Sequence, residues 1–343
     1  MEKITTIGLD LAKSVFQVHA IAEDGSVVTR RALRRSQVLE FFRKLEPCLV
    51  GLEACASAHY WANSIIQFGH TVRMMPAAYV KAYVKRNKTD AADAEAICEA
   101  VTRPTMRFVP IKTRDEQAAC IVLKTRELFV RQRSQTANAL RAHMAEMGII
   151  AAAGMTSIAK LILVLRDNED SRLPNAARAA LLEMADQIEM LTARIEKLDA
   201  TIGATVKADA AARRLTSIPG VGPLIAATVR ASVQDPSSFK TGRDFSAWIG
   251  ITPRAHSSGG KERVGKISKQ GSKQLRTLLI VGATSILKLA RRGAKLPAWV
   301  VSLMARRPFK VAAVALANKI ARTIWALLVK GGVYQMPAIM MKA

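Results

Sequence analysis

Acidic residues are scarce in this sequence, and their scarcity is uneven. The 343 residues include 52 Lys and Arg but only 27 Asp and Glu, which gives a formal net charge of +25. Residues 251–343 hold 18 basic residues and one acid, Glu262, and so carry +17. A surplus of this size in a folded chain indicates a polyanionic partner, most often nucleic acid. Half of the residues are hydrophobic, which excludes an unfolded basic tail.

Cysteine is also scarce, and the few cysteines show no CxxC spacing. This spacing argues against a zinc site and is typical of small buried side chains in a reducing compartment. The four cysteines are Cys48, Cys55, Cys98 and Cys120.

Long uncharged apolar runs are missing, because no stretch of 18 apolar residues is free of charge. The best candidate, residues 311–329, is interrupted by Lys319 and Arg322 and is expected to be a packed helix. The first ten residues show no signal-peptide pattern. We therefore expect a cytoplasmic protein with no membrane contact.

Alternating short strands and helices predict an α/β domain over residues 1–108. ITTIGLD, VFQVHAIA and SVVTRRALR read as three strands, and Asp24-Gly25 between the last two is a strong hairpin signal. Two further strands then alternate with helices, in the order β-β-β-α-β-α-β-α. The strand CLVGLE ends on Glu53.

Long helices dominate the remaining sequence. Residues 109–210 predict a coiled-coil region with helices over 115–148 and about 176–207, and residues 211–343 predict a mostly α domain. The second helix carries an a/d seam that packs within one chain or pairs two chains, and the pairing of two chains is slightly favoured. The seam residues are Leu181, Met184, Ile188, Leu191, Ile195, Leu198 and Ile202.

Four carboxylates stand at strand ends and at a helix start. Asp10 ends the first strand, Glu53 ends a later one, and Asp90 and Asp93 lie three residues apart at the start of a helix. If the four converge, their hard oxygen ligands suit one or two Mg²⁺ ions and phosphoryl transfer. Taken singly, each acid is more often a turn or helix-cap residue than a catalytic one.

Two glycine-containing segments suit contacts with phosphates. Gly220-Val221-Gly222 between apolar helices is typical of a helix-hairpin-helix element, although an ordinary glycine-capped turn has the same pattern. Residues 255–271, AHSSGGKERVGKISKQG, combine glycines with cations. The nearby His256 is a weak base candidate, so the residues alone favour a phosphate-binding loop over a serine nucleophile. The expected nucleic-acid contacts are Gly220, Gly222, Lys261, Arg263, Lys266, Lys269, Lys273 and Arg276.

Several segments, in this order, resemble transposases of the insertion sequence 110 family, including its 1111 group. The resembling segments are IGLDLAKSVFQVH, VGLEACASAHYWA, KTDAADAEAI, SIPGVG and GITPRAHSSGGKERVGKISKQGSKQLR. The resemblance implies a RuvC-like, ribonuclease-H-type fold in which Asp10, Glu53, Asp90 and Asp93 are the DEDD metal ligands. It further implies that Ser258, or else the adjacent Ser257, attacks DNA and forms a covalent phosphoserine link.

The resemblance also implies partners, and a bacterial protein that associates with the nucleoid when it acts on DNA. Members of this family act on donor and target DNA with a non-coding bridge or seeker RNA from their own element. They assemble as dimers that pair into tetramers, in which the acidic and serine domains of different subunits complete one site. Two other interpretations stay open: a RuvC-like metal-dependent nuclease without serine chemistry, and a non-catalytic nucleic-acid-binding protein.

Overall fold

The chain folds into two compact units that divide between Gln117 and Ala118 in a computed structural model. The structure describes residues 2–85, 89–255, 263–290, 292–293 and 297–335.

A five-stranded sheet forms the centre of the first unit, which confirms the predicted mixed α/β region. The strands are β1 (Thr6–Asp10), β2 (Val15–Ile21), β3 (Val27–Arg34), β4 (Leu49–Glu53) and β5 (Thr71–Met75). Their order across the sheet is β3-β2-β1-β4-β5. β1 pairs antiparallel with β2 and parallel with β4, and β5 continues the parallel half. The inner strands β1 and β4 are almost wholly buried, whereas β3 at the edge is largely exposed, as its two adjacent arginines require.

Helices cover both faces of this sheet. They are α1 (Val38–Arg43), α2 (Ala58–Ile66), α3 (Ala77–Val80) and α4 (Asp90–Val101). Ile7 and Leu9 of β1 belong to the same core cluster as Phe42 of α1 and Trp61 of α2. Because side chains alternate along a strand, the intervening Gly8 faces the opposite side, where α4 lies.

The second unit is helical apart from one short hairpin in its described part, and most of it follows the predicted helices. Its helices are α5 (Arg114–Glu146, which contains the division), α6 (Met155–Arg166), α7 (Asn175–Ala208), α8 (Ala210–Leu215), α9 (Pro223–Ser232), α10 (Gly242–Ile249), α11 (Lys273–Ala290), α12 (Ala298–Arg306) and α13 (Phe309–Lys330). The hairpin, which the sequence did not predict, pairs β6 (Pro253–Ala255) antiparallel with β7 (Val264–Ile267).

The a/d seam of α7 is buried inside the chain. Leu181 and Ile188 share a core cluster with Leu140 and Met144 of α5, and Ile202 joins a second cluster. The favoured interpretation, that this seam pairs two chains, is therefore not supported, since the apolar side chains that would form the interface are already covered. Leu191 and Ile195 are also buried, and Met184 and Leu198 are half-buried.

Arg178 is a buried cation that fixes the connection between α6 and α7. Its guanidinium donates to the backbone carbonyls of Leu165 at 2.8 Å, Asp167 at 2.5 Å and Asp170 at 2.5 Å. These carbonyls lie at and beyond the end of α6, where helix geometry leaves acceptors without intrahelical donors. Arg178 therefore closes the turn as a helix cap supplied from α7.

Helix α13 crosses the core of the second unit. Among the described helices, it alone is long and apolar enough to span a membrane by length and composition. Seven of its residues are buried within the unit, including Leu316, Ile320 and Ile324, so it is packed as a core helix, as the interrupting charges predicted.

Candidate active site

Two paired glycines let α4 approach the centre of the sheet. Gly8 of β1 and Gly51 of β4 are register partners. A Cβ added at Gly8 would lie 2.1 Å from the Ala94 carbonyl oxygen and 2.4 Å from the Cys98 nitrogen, both backbone atoms of α4. A Cβ at Gly51 would lie 2.8 Å from Cβ of Val101. The glycines are therefore needed for space, and they set where α4 lies.

This placement brings the four predicted acids to one edge of the sheet. Asp10 and Glu53 follow Gly8 and Gly51 by two residues, so they face the same side as these glycines, at the carboxyl ends of two adjacent parallel strands. Gly8 lies against Ala94 and Cys98 of α4, and the helix therefore begins near the end of β1. Asp90 and Asp93 lie in its first turn, which Thr89 caps by accepting from the Ala92 nitrogen at 3.2 Å.

The pKa of Asp10 reflects its burial and the proximity of the other three acids. Burial, followed by the negative charges of Asp93, Asp90 and Glu53, raises the pKa of Asp10 from 3.8 to about 6. Like charges held this close repel one another, and a cation bound among them would relieve the repulsion.

The donor chemistry of this acidic set suits a hard divalent cation. Among the described residues, no three His, Cys, Asp or Glu side chains are close enough to hold a metal ion as they stand. Mg²⁺ usually keeps several waters and binds through one or two carboxylates plus substrate phosphates, so it does not need a complete protein cage. A carboxyl group whose pKa is raised by burial and by three neighbouring acids fits such a partly hydrated ion.

Glu95 has a structural role that the sequence did not indicate. It pairs with Lys85 at 2.5 Å and with Arg30 at 3.8 Å. Lys85 precedes α4 and Arg30 lies on β3, so the ion pairs tie the start of the helix to the sheet. Glu99 of the same helix forms an ion pair with Arg103 one turn later.

The serine candidates lie outside the described residues, together with His256 and Lys261. In the sequence, Ser257 and Ser258 lie between the segments that form β6 and β7, in which Pro253 pairs with Ile267 and Ala255 with Val264. The sequence did not predict these two strands, because the glycines and cations in this segment are residue types typical of loops.

The predicted phosphate-binding cations divide into two groups. Arg263, Lys266, Lys269 and Lys273 are exposed. Arg276 is buried, and its Nη1 donates to the backbone carbonyls of Ile249 at 2.9 Å and Gln270 at 3.1 Å. Its guanidinium thus joins the end of α10 to the loop before α11, and the structure does not bring it to the surface with the others.

The glycine hairpin is likewise divided. Gly220 has φ +79°, and a Cβ there would lie 2.9 Å from the Gly282 carbonyl oxygen of α11. This contact places Gly220 against a helix, where it serves packing. Gly222 is exposed with no atom within 4 Å of an added Cβ, and it precedes α9, so it stays a candidate for phosphate contact.

Comparison with known protein families assigns both regions. Residues 7–149 match the DEDD transposase model of the IS110 group, and residues 212–296 match the model described as transposase of the IS116/IS110/IS902 family. The DEDD match covers all four acids and suggests a divalent metal requirement. The second match covers the glycine hairpin and the predicted serines.

Full-length relatives agree with these matches. The chain is 46% identical to a probable family 20 transposase of Pseudomonas aeruginosa, over 97% of this chain and 99% of the relative. It is 37% identical to the transposase for insertion sequence element IS1111A of Coxiella burnetii, over 98% and 92%. It is 36% identical to the transposase for IS1328 of Yersinia enterocolitica, over 97% and 99%.

Proposed function

This chain belongs to the IS116/IS110/IS902 family of transposases, and from that premise we propose how it cuts and rejoins DNA. Asp10, Glu53, Asp90 and Asp93 hold Mg²⁺ at the reacting phosphate, and Ser258 links covalently to the cleaved strand. The observation that supports the metal site is the placement of α4 against Gly8 and Gly51, because it gathers acids that are up to 83 residues apart in the sequence.

The four acids act by holding a divalent cation at the scissile phosphate. Bound Mg²⁺ supplies Lewis-acid stabilisation of the phosphate oxygens. Asp10 is half-buried, and its pKa is raised to about 6 when no metal is bound. The Glu95 ion pairs with Lys85 and Arg30 keep the helix start, and thus Asp90 and Asp93, in position.

Serine attack conserves the energy of the DNA bond. Oγ of Ser258 attacks phosphorus, its proton passes to a base, and the departing strand end takes up a proton as a hydroxyl. One phosphate ester replaces another, so a later attack by a strand hydroxyl re-forms DNA and releases the serine without an external energy source. Ser257 is the alternative nucleophile.

The remaining proposals concern partners. The exposed cations Arg263, Lys266, Lys269 and Lys273 contact nucleic-acid backbone, which carries no sequence information. Target and donor sequences are selected by base pairing with a non-coding RNA of the element, and the active assembly is a homo-oligomer of dimers that pair into a tetramer. The protein acts in the cytoplasm.

The competing function is a RuvC-like nuclease that hydrolyses DNA with a metal-activated water and without serine chemistry. The test uses DNA with a nick beside the cleavage site, which traps covalent intermediates, and denaturing gels of the Ser258→Ala and Ser257→Ala proteins. We expect Ser258→Ala to lose both cleavage and the protein–DNA adduct, and Ser257→Ala to keep both. Wild-type cleavage by both variants would overturn the serine proposal and favour the nuclease.

A second arm tests the acids. Asp10→Asn and Glu53→Gln should abolish cleavage while DNA binding is kept. Glu40→Gln is the matched control, since Glu40 is an exposed acid of α1 that pairs with Lys44. Cleavage that continues at the wild-type rate in a chelator would refute the metal site, and binding without any cleavage would leave a nucleic-acid-binding protein.

A further inference from the structure

We propose that a cleft between α12 and α13 binds one unpaired nucleotide of single-stranded nucleic acid. The base stacks on Trp299, and Lys319 and Arg322 hold the adjoining phosphate. The cleft has a volume of about 250 Å³. The inference rests on the nucleic-acid function proposed above and assigns a second site to it. The lining residues are Trp299, Ala315, Asn318, Lys319 and Arg322.

The two helices present these side chains from well-packed positions. Ala315, Lys319 and Arg322 are spaced i, i+4 and i+7, so they share one face of α13. The buried residues Ile320 and Ile324 anchor the helix in the core. On α12, Val300 is fully buried while the preceding Trp299 is 41% exposed. The indole is thus held at the surface by a helix that is itself anchored.

The charge at this cleft is unpaired and positive. Residues 263–335 contain no Asp or Glu, and no salt bridge is found for Lys319 or Arg322 within the described part of the chain. Both cations are exposed and free to meet an anion, in contrast to buried Arg276. Asn318 donates through Nδ2 to the Ile251 carbonyl oxygen at 3.4 Å, which leaves Oδ1 as an acceptor for a base edge.

This combination favours an unpaired nucleotide over other ligands. An exposed aromatic face beside cations is how single strands are bound without sequence preference. The bases of a duplex are stacked on each other and present only their edges. The cleft is smaller than the roughly 300–1,000 Å³ that encloses drug-sized ligands, so it suits one base rather than a whole cofactor.

The test measures binding of short fluorescein-labelled oligonucleotides by anisotropy, with single-stranded RNA, single-stranded DNA and a DNA duplex of one sequence as separate arms. Trp299→Ala should weaken single-strand binding about 5- to 150-fold and leave duplex binding unchanged. Trp299→Phe should keep most of the affinity, and thermal melts establish that both variants are folded. The stronger of the two single-strand arms identifies the natural source as RNA or DNA.

The cations are tested through the salt dependence. Lys319→Gln and Arg322→Gln should each lower the slope of log affinity against log salt by about 0.7 for single strands. Lys330→Gln is the control: it removes the same charge from an exposed position on α13 outside the cleft. Single-strand affinity unchanged in Trp299→Ala, or equal losses for single strands and duplex, would overturn the inference.

The outcomes for the cleft and for catalysis are separate. A wild-type protein that cleaves DNA but shows no dependence on Trp299 refutes the cleft site alone. A protein that requires Trp299 for single strands but never cleaves refutes the proposed chemistry alone.

Discussion

Replacing Gly8 with alanine tests whether close packing of α4 assembles the acidic site. The new Cβ would lie 2.1 Å from the Ala94 carbonyl oxygen, whereas ordinary contact begins at 3.4 Å, so α4 must move by about 1.3 Å (3.4 minus 2.1). Overpacking of this kind costs about 1–3 kcal/mol. A displacement near 1 Å at a catalytic site costs about 100-fold in rate. Asp90 and Asp93 move with the helix, away from Asp10.

The assay compares cleavage rate and Mn²⁺ affinity, by calorimetric titration, in Gly8→Ala, Gly25→Ala and the wild type. Gly25 is the matched control because its φ of +87° makes alanine unfavourable by about 1–2 kcal/mol, while no atom lies within 4 Å of the new Cβ. Both variants should have a lower melting temperature than the wild type. Only Gly8→Ala should cleave about 100-fold more slowly and bind Mn²⁺ more weakly. Wild-type cleavage and metal binding by a folded Gly8→Ala protein would refute the reasoning.

Three other predictions follow from the structure. The pKa of Asp10 is about 6 in the folded chain against an ordinary 3.8, so the contribution of Asp10 to the free energy of unfolding is fully present below about pH 4 and is lost as the pH rises through about 6. In thermal melts without metal, Asp10→Asn should remove this pH dependence. The Mn²⁺ affinity of the wild type should rise from about pH 5 to 7. Arg178→Met should destabilise the second unit by about 2–4 kcal/mol in thermal melts, because buried and partly buried carbonyls lose their donor; an unchanged melting temperature would contradict the capping role. Gly220→Ala should lower the melting temperature through its clash with α11, whereas Gly222→Ala should stay within about 1 kcal/mol of wild type; equal effects would mean that the packing assignment is wrong.

Local sequence patterns predicted the elements of the sheet well. The Asp24-Gly25 turn lies between β2 and β3, and the alternating segments became strands in the predicted order. The acids at strand ends could be predicted to meet because adjacent parallel strands end at one edge. The long helices were also predictable from periodicity, within two residues at each described end.

What the sequence could not provide is which surfaces meet. The seam of α7 has the same pattern whether it packs on its own chain or on a second one. Arg276 and Lys273 look alike in a basic segment, and only the fold buries the first. The Gly-Leu-acid pattern, which occurs at Gly8 and again at Gly51, could have indicated the approach of α4. Neither glycine has a positive φ, so what each provides is space for the helix.

The position of Asp90 and Asp93 on α4 also determines when the acidic site can form during synthesis of the chain. As the chain is synthesised, Asp10 and Glu53 emerge first, and the strands that carry them can pair before residue 89 exists. Asp90 and Asp93 arrive last, on the helix that must settle over Gly8 and Gly51. A nascent or prematurely terminated chain that stops before this helix therefore carries half of the acidic set, and we expect it to be unable to cut the DNA from which it is being expressed.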